Sequence, residues 1–378
     1  MDFNLQWLLI AFPVAFALGW IASRFDFRQW QREQQSAPKA YFKGLNLLLN
    51  EQQDKAIDAF IEAVQNDPDT TELHFALGNL FRRRGEYERA VRVHQHVLMR
   101  GDLPRAERDK AQYALAQDFV KAGLFDRAED AFKALLGTPF QAEAQLALLT
   151  LYERSREWKS AIDMARQLES VGTASFANRI SHFWCEIALA SAVDAERMHA
   201  LQQAQKSAPQ SARAKVEMGR EWLRLGQLAN AQASFVALAQ LHPDAFNLVA
   251  DEYAQCALKL GDELGAATHI KTQYALNPTM DLVLAQDTLE GAPSSARLLE
   301  HLQHRSSLWA SSRLLKQTDT GLAEPLRAAL VQSTEKATRP LLRYRCAACG
   351  FEAQNYFWQC PGCLGWDTYP PLRLEDEA

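Results

Sequence analysis

The sequence predicts an all-α protein in which antiparallel helix pairs stack into a superhelix, with a transmembrane helix before them and a small metal-binding module after them. Three observations support this prediction: a pattern of small and aromatic residues that recurs along most of the chain, an uncharged apolar stretch at the amino terminus, and four closely spaced cysteines near the carboxyl terminus. The 378 residues carry a net charge of -5, which gives no global reason to expect nucleic acid as a partner.

Residues 1–23 are predicted to form a transmembrane anchor. The stretch 5–22 contains no charged residue and would reach ~27 Å as a helix, close to the roughly 30 Å of a bilayer's hydrocarbon core. A cleaved signal peptide is the alternative, but Asp2 stands where such a peptide has a basic residue. Basic residues follow the stretch, so the positive-inside rule places the amino terminus outside and the bulk of the chain in the cytoplasm. The polar residues 24–36 are interpreted as a juxtamembrane connector.

The repeated pattern is clearest over residues 212–243. Gly219 is small where two helices would cross, Phe235 fills the space beside the crossing, and Gly226 lets the backbone turn between the helices. This arrangement is typical of a tetratricopeptide repeat, a pair of antiparallel helices. About seven such copies are predicted over residues 37–278, and stacking is required because one pair cannot bury its apolar faces alone.

The copies are not equivalent. The fifth, over residues 178–209, lacks the glycine expected at its turn. Beyond residue 278 the pattern fades, and residues 279–340 are interpreted as divergent helices that cap the array, because terminal repeats are expected to be atypical. Cys185 and Cys256 occur singly at apolar repeat positions and are interpreted as small buried side chains.

The first helix of each pair is expected to line a concave groove. Its positions carry a mixture of basic, aromatic and aliphatic residues, which suits an acidic or amphipathic peptide segment, although a solvated face is the alternative for any single arginine. The candidate groove residues are Phe75, Asn79, Arg82, Arg83, Tyr113, Gln117, Lys121, Arg213, Arg220 and Arg224.

Two C-x2-C pairs, Cys346 with Cys349 and Cys360 with Cys363, predict a metal site in a module over residues 341–372. Each pair directs two sulfurs at one point, and two pairs complete a tetrahedral site that zinc and iron both fit. Four thiolates leave no open coordination position, which argues against metal catalysis. Few basic residues surround the cysteine pairs, and the carboxyl-terminal tail is acidic. The module is therefore expected to be a docking surface for proteins and not a ribbon-type module that binds nucleic acid.

The sequence favours a protein that binds proteins over an enzyme. It contains no phosphate-binding G-x-x-x-x-G-K-[ST] loop, no G-x-S-x-G nucleophile motif and no H-E-x-x-H metal motif. Its histidine pairs lack an acidic third ligand at helical spacing.

The order of anchor, repeats and a rubredoxin-like C-A-A-C-G-F and W-Q-C-P-G-C motif resembles the lipopolysaccharide assembly protein B family of Gram-negative bacteria. The resemblance implies a single-pass inner-membrane regulator that works with the membrane protease FtsH to promote degradation of LpxC, the deacetylase that commits flux to lipid A. It also implies iron at Cys346, Cys349, Cys360 and Cys363, with zinc as the alternative. One departure is Leu364, where a rubredoxin usually has glycine.

Two interpretations of this resemblance stay open. In the first, the chain is an adaptor that brings FtsH, LpxC and other lipopolysaccharide assembly proteins together. In the second, it is a scaffold that co-localises envelope-biosynthesis enzymes without a role in proteolysis. Nucleic acid is not an expected partner in either, and homo-oligomerisation is compatible with both.

Overall fold

The computed structural model describes residues 16, 20, 42–47, 49–50, 52–66, 70–172, 174–318 and 321–377. The predicted anchor and connector therefore lie outside the described residues, except for Phe16 and Trp20, which are helical. Among the residues that the structure describes, no helix combines the length and apolar character needed to cross a membrane.

The described chain is helical from residue 42 to its carboxyl-terminal module, which holds a small antiparallel sheet. After a helical stretch at 42–47, the α-helices are α1 (Gln53–Asn66), α2 (Thr71–Arg83), α3 (Tyr87–Met99), α4 (Arg105–Lys121), α5 (Phe125–Lys133), α6 (Gln141–Ser155), α7 (Trp158–Ser170), α8 (Ala177–Ala190), α9 (Asp194–Ser207), α10 (Ala212–Arg224), α11 (Leu228–Leu241), α12 (Pro243–Phe246), α13 (Ala250–Leu260), α14 (Glu263–Leu276), α15 (Met280–Glu290), α16 (Ser295–His304), α17 (Leu308–Gln317) and α18 (Glu324–Leu341). A 3-10 turn, Asn247–Val249, precedes α13, and the sheet pairs β1 (Tyr344–Arg345) with β2 (Glu352–Ala353).

These elements form two compact units that divide after Ser160, within α7. In the first unit, α1, α2 and α3 share an apolar cluster that includes Phe60, Leu77 and Phe81. Gly78 in α2 lies against the ring of His94 in α3, so the two helices approach closely there. This part of the chain has the helix-pair packing of the predicted repeats.

The pair α10 and α11 in the second unit shows why the repeat pattern has its residues where it does. A Cβ atom added at Gly219 would overlap the ring of Phe235, so only glycine allows this helix crossing. Gly226 has a φ of 73°, which supplies the predicted turn. Ser211 begins α10 by accepting a hydrogen bond from the amide of Ala214. The prediction for these positions is confirmed.

The turn between α8 and α9 explains how the fifth repeat copy dispenses with glycine. Ser191 ends α8 in an extended conformation, with ψ of 139°. Its hydroxyl accepts a hydrogen bond from the amide of Val193 at 3.1 Å and donates one to the Glu196 carboxylate at 2.8 Å. A side-chain hydrogen bond thus stabilises this turn, where four other copies use a left-handed glycine, namely Gly85, Gly123, Gly226 and Gly261.

Candidate metal centre

The first cysteine pair lies at the turn of the β1–β2 hairpin. Arg345 in β1 is opposite Glu352 in β2, and the Cys346 amide donates to the carbonyl of Phe351 at 2.9 Å. The hairpin therefore closes around the pair and turns its sulfurs to one side. Cys349, the second member of the pair, is exposed at the tip.

The two cysteine pairs have the same backbone geometry. In the first, the Gly350 amide donates to the Cys346 carbonyl at 2.9 Å; in the second, the Leu364 amide donates to the Cys360 carbonyl at 2.8 Å. The residue after each pair is left-handed, with φ of 76° at Gly350 and 60° at Leu364. Leucine thus occupies a conformation that normally favours glycine, and the departure noted in the sequence does not alter the turn.

The four sulfurs converge on one point. The Sγ atoms of Cys346 and Cys363 are 3.8 Å apart, those of Cys349 and Cys360 are 3.6 Å apart, and all four lie within 4.8 Å of one another. A metal at about 2.3 Å from each sulfur requires tetrahedral edges of about 3.8 Å, so the spacing fits a four-coordinate ion. The set forms a metal-binding site, and its sulfur donors suit zinc and iron equally.

The electrostatics of the sulfurs favour a bound cation. Desolvation raises the pKa of Cys346, but hydrogen bonds from the Thr368 hydroxyl and from the amides of Cys349 and Ala348 outweigh it and lower the pKa to about 6. At Cys349 a hydrogen bond from the Phe351 amide lowers the pKa, while desolvation and the neighbouring sulfurs raise it to about 12. Thiolates this close repel one another, so a metal ion is the charge that allows all four to ionise together.

A tyrosine cluster supports the site from inside the module. Tyr344, Tyr356 and Tyr369 pack with Cys346 and Cys360 in one apolar cluster. The Tyr356 hydroxyl donates to the carbonyl of Tyr369 at 3.2 Å, so the phenol groups also fix the backbone. These side chains form the apolar core of the module. A module of this size needs a bound metal in addition to such a core.

The module packs against helices of the second unit through Trp366 and its neighbour Asp367. Trp366 stacks on His182 of α8, with ring centroids 4.6 Å apart and an interplanar angle of 17°. His182 is 2% exposed, and its Nε2 donates to the Asp367 carboxylate at 2.8 Å. The guanidinium of Arg213 in α10 lies 5.5 Å from the Trp366 ring centroid, within cation–π range. The metal module is therefore fixed to the repeat helices.

The carboxyl-terminal residues make a second attachment that sequence reasoning missed, because they read as an acidic tail. Arg373 forms a two-nitrogen ion pair with Asp281 of α15, at 3.0 and 3.1 Å. The buried Glu375 carboxylate accepts hydrogen bonds from the Ser307 hydroxyl at 3.1 Å and from the Trp309 amide at 3.0 Å, at the start of α17. No local pattern distinguishes these acids from a solvated tail, since their partners lie more than sixty residues away.

The structure brings two of the candidate groove residues of the first unit, Asn79 and Arg82, into contact. Arg82 donates to the Asp118 carboxylate at 2.8 Å and to the Asn79 amide oxygen at 2.5 Å. Phe75 is 5% exposed and packs in the apolar core. Tyr113 stacks on Phe140 with centroids 5.4 Å apart.

The remaining groove candidates of the first unit differ in exposure. Arg83 and Lys121 are exposed, and Gln117 is half-buried. Their side chains are accessible to a partner, whereas Phe75 and Arg82 serve the interior of the unit. A binding role for the set stays a prediction.

The arginine candidates of the second unit all pair with carboxylates. Arg213 is 3% exposed and donates to Glu186 at 2.6 Å. Arg220 donates to Glu252 at 3.0 Å. Arg224, the most exposed of the three, donates to Glu221 at 2.6 Å. Sequence spacing did not show that each of these arginines has an acid beside it, and a binding role for them stays a prediction.

Comparison with known proteins finds relatives of both the repeats and the metal module. A family model described as a rubredoxin metal binding domain matches residues 344–371, and two tetratricopeptide repeat models match residues 73–109 and 113–174. A solved tetratricopeptide repeat protein from Parabacteroides merdae is 14% identical with a TM-score of 0.36, over 68% of this chain and 99% of that one.

Two curated relatives match almost the whole chain. Lipopolysaccharide assembly protein B of Escherichia coli strain K12 is 32% identical over 385 residues, which cover 98% of each chain. The protein of the same name from Haemophilus influenzae is 26% identical over 98% of this chain and 99% of its own. The repeat matches and these relatives identify a non-enzymatic protein. With its repeat helices, its four-cysteine module and a relative of this identity over nearly its full length, the chain belongs to the lipopolysaccharide assembly protein B family.

Proposed function

We propose that this chain acts in lipopolysaccharide assembly as an inner-membrane adaptor that promotes degradation of LpxC by the membrane protease FtsH. The observation that carries the proposal is the 32% identity to a lipopolysaccharide assembly protein B over 98% of both chains. The repeat helices add support, because paired helices of this class bind partner segments instead of catalysing reactions.

The predicted anchor at residues 1–23 gives the adaptor its mechanism. It confines the repeat helices to the membrane plane beside the protease, which raises the effective concentration of any bound substrate without a new contact. In this proposal the amino terminus is periplasmic and the bulk of the chain is cytoplasmic. The uncharged stretch 5–22 and the basic residues after it support that orientation.

The groove and the metal module supply the docking surfaces. Exposed basic side chains such as Arg83 and Lys121 are available to acidic segments of a partner. The metal module is attached to α8 through the hydrogen bond between His182 and Asp367. Folding of the module therefore also stabilises the position of α8. We assign iron to the four cysteines on the family resemblance, with zinc as the alternative.

The test is the lifetime of LpxC after translation is blocked, in cells depleted of this protein and in cells that express it. Depletion is expected to lengthen the lifetime, because substrate delivery to the protease fails. A membrane protein with FtsH-independent turnover serves as the control and should decay equally in both strains. An unchanged LpxC lifetime would refute the adaptor function.

A non-proteolytic scaffold is the second candidate, and it rests on the same repeat helices. It predicts stable, stoichiometric complexes with envelope-biosynthesis enzymes whose lifetimes do not change on depletion. The LpxC lifetime measurement separates the two functions, because only the adaptor alters it.

A further inference from the structure

A pocket of about 230 Å³ opens between α8, α9 and α10 of the second unit. Its walls include the apolar side chains of Leu189 and Leu201, and its polar lining includes Glu217. Pockets that hold drug-sized ligands measure roughly 300 to 1,000 Å³, so this one suits a single long side chain. None of the residues that line this pocket belongs to the metal site.

The arginines that line the pocket are already neutralised. Arg197 and Arg224 both donate to Glu221, at 3.1 and 3.0 Å from their Nε atoms. Arg220 donates to Glu252 outside the pocket lining. Arg224 also donates to Asp194, so each guanidinium has at least one carboxylate partner, and none of these three donates to Glu217.

Glu217 accepts no hydrogen bond from these arginines and has only a long ion pair. It is 9% exposed, and the nearest cation among the described residues is Arg213, whose Nε lies 4.0 Å from the carboxylate. That distance exceeds a hydrogen bond, and Arg213 instead donates to Glu186 at 2.6 Å. A buried carboxylate with only a long ion pair is incompletely compensated, and a charged donor that enters the pocket would reduce that cost.

We propose that this pocket receives one basic side chain of a protein partner, with its alkyl stem along Leu189 and Leu201 and its charged head donating to Glu217. Long basic side chains combine these two features, because their stems are apolar and only their tips are charged. An arginine is favoured, since its planar fork matches a carboxylate. The inference rests on the proposed adaptor function, from which it takes the protein partner, but it concerns binding at a defined pocket.

The test uses the full chain and two labelled peptides that are identical except at one position. One carries arginine between two leucines, and the other carries citrulline, which has the same shape without the charge. Binding is measured by fluorescence anisotropy for the wild type, for Glu217→Gln and for Glu300→Gln, a control that removes an exposed carboxylate of α16.

The expected result is a preference of at least tenfold for the arginine peptide in the wild type and in Glu300→Gln, and loss of that preference in Glu217→Gln. Equal binding of both peptides by the wild type, or an unchanged preference in Glu217→Gln, would overturn the proposal. Both outcomes are independent of LpxC turnover, so failure of the pocket and failure of the adaptor function are told apart.

Thermal unfolding of the same variants gives a second criterion. Glu217→Gln removes a buried charge whose ion pair with Arg213 is 4.0 Å long, so its midpoint should equal or exceed that of the wild type. A midpoint well below that of Glu300→Gln would mean that Glu217 serves Arg213 inside the chain, and the pocket proposal would then fail even if peptide binding changed.

Discussion

Leu364 adopts after the second cysteine pair the left-handed conformation that Gly350 adopts after the first, with φ of 60° and 76°. The conformation costs a residue with a Cβ about 1 to 2 kcal/mol, whereas glycine has no such cost. Leu364 is also exposed, so its side chain contributes little packing. The second pair therefore holds a local strain that the first does not.

Leu364→Gly is expected to stabilise the metal module by about 0.5 to 1 kcal/mol, because relief of the strain exceeds the added entropy of the unfolded glycine. Gly350→Ala is expected to destabilise it by about 1 kcal/mol. Urea unfolding followed through metal–thiolate absorbance measures both. Leu364→Ala is the matched control, since it removes the side chain but keeps the strain; equal stabilisation by Ala and Gly would contradict the explanation.

Replacement of Cys346 and Cys349 by serine is expected to remove the metal and unfold the module. Structural zinc contributes on the order of 10 to 16 kcal/mol to small peptides of this kind, far more than the tyrosine cluster can replace. Metal analysis and limited proteolysis should show an empty site and cleavage within residues 342–377, while the upstream helices resist. The same variant should fail to shorten the LpxC lifetime, and full regulation without bound metal would refute a role for the module.

The hydrogen bond between His182 and Asp367 should be measurable as coupling between the module and α8. His182→Phe keeps a ring against Trp366, and Asp367→Asn keeps a residue that tolerates the φ of 54° at this position. A double-mutant cycle on unfolding free energy is expected to give a coupling of about 1 kcal/mol. Additive effects of the two substitutions would show that the contact contributes nothing to attachment.

Asp376 should make the stability of the second unit depend on pH. Burial raises the pKa of its carboxyl to about 7, and the neighbouring Asp281 and Glu375 carboxylates act in the same direction while Arg305 and Arg373 oppose them. The folded state therefore binds a proton that the unfolded state releases at a pH of about 4, and the free energy of unfolding falls as pH rises from about 4 to 7.

Asp376→Asn is expected to flatten this decline. The variant should match the wild type below pH 4 and exceed it at pH 8, by about 1.4 kcal/mol for each unit by which the folded pKa is raised. Urea unfolding at several pH values measures the effect, with Glu377→Gln, an exposed neighbour, as the control. A variant less stable than the wild type at pH 8 would show that the Asp376 charge is compensated in the folded protein.

Deletion of residues 1–22 tests the proximity mechanism. The remaining chain is expected to fold, because the described helices pack among themselves, but to regulate LpxC poorly since it no longer stays beside the protease. Fusion of an unrelated transmembrane helix should restore regulation if proximity alone matters. Wild-type regulation by the deleted chain would refute the mechanism.

The sequence by itself determined the features that depend on local spacing. The two C-x2-C pairs predicted the metal ligands because each pair fixes its own turn, and Gly219 and Gly226 predicted the helix crossing and turn of their repeat. Cys185 and Cys256, interpreted as buried, are 0% and 1% exposed. The cysteine pairs and the two glycines act within one turn or one helix pair, whereas Cys185 and Cys256 occupy repeat positions that also pack on the neighbouring pair.

Only the tertiary structure decided what these parts do to one another. It joined His182 to Asp367 across 185 residues, buried Glu375 and Asp376 that read as a solvated tail, and gave each arginine of the predicted groove an acidic partner in the second unit. It also placed the Glu217 carboxylate 4.0 Å from Arg213, its nearest cation among the described residues and beyond hydrogen-bonding distance. These outcomes depend on which helices pack together. The energy of such contacts is set by distance and burial, and short sequence patterns do not reveal either quantity for residues that are far apart in the chain.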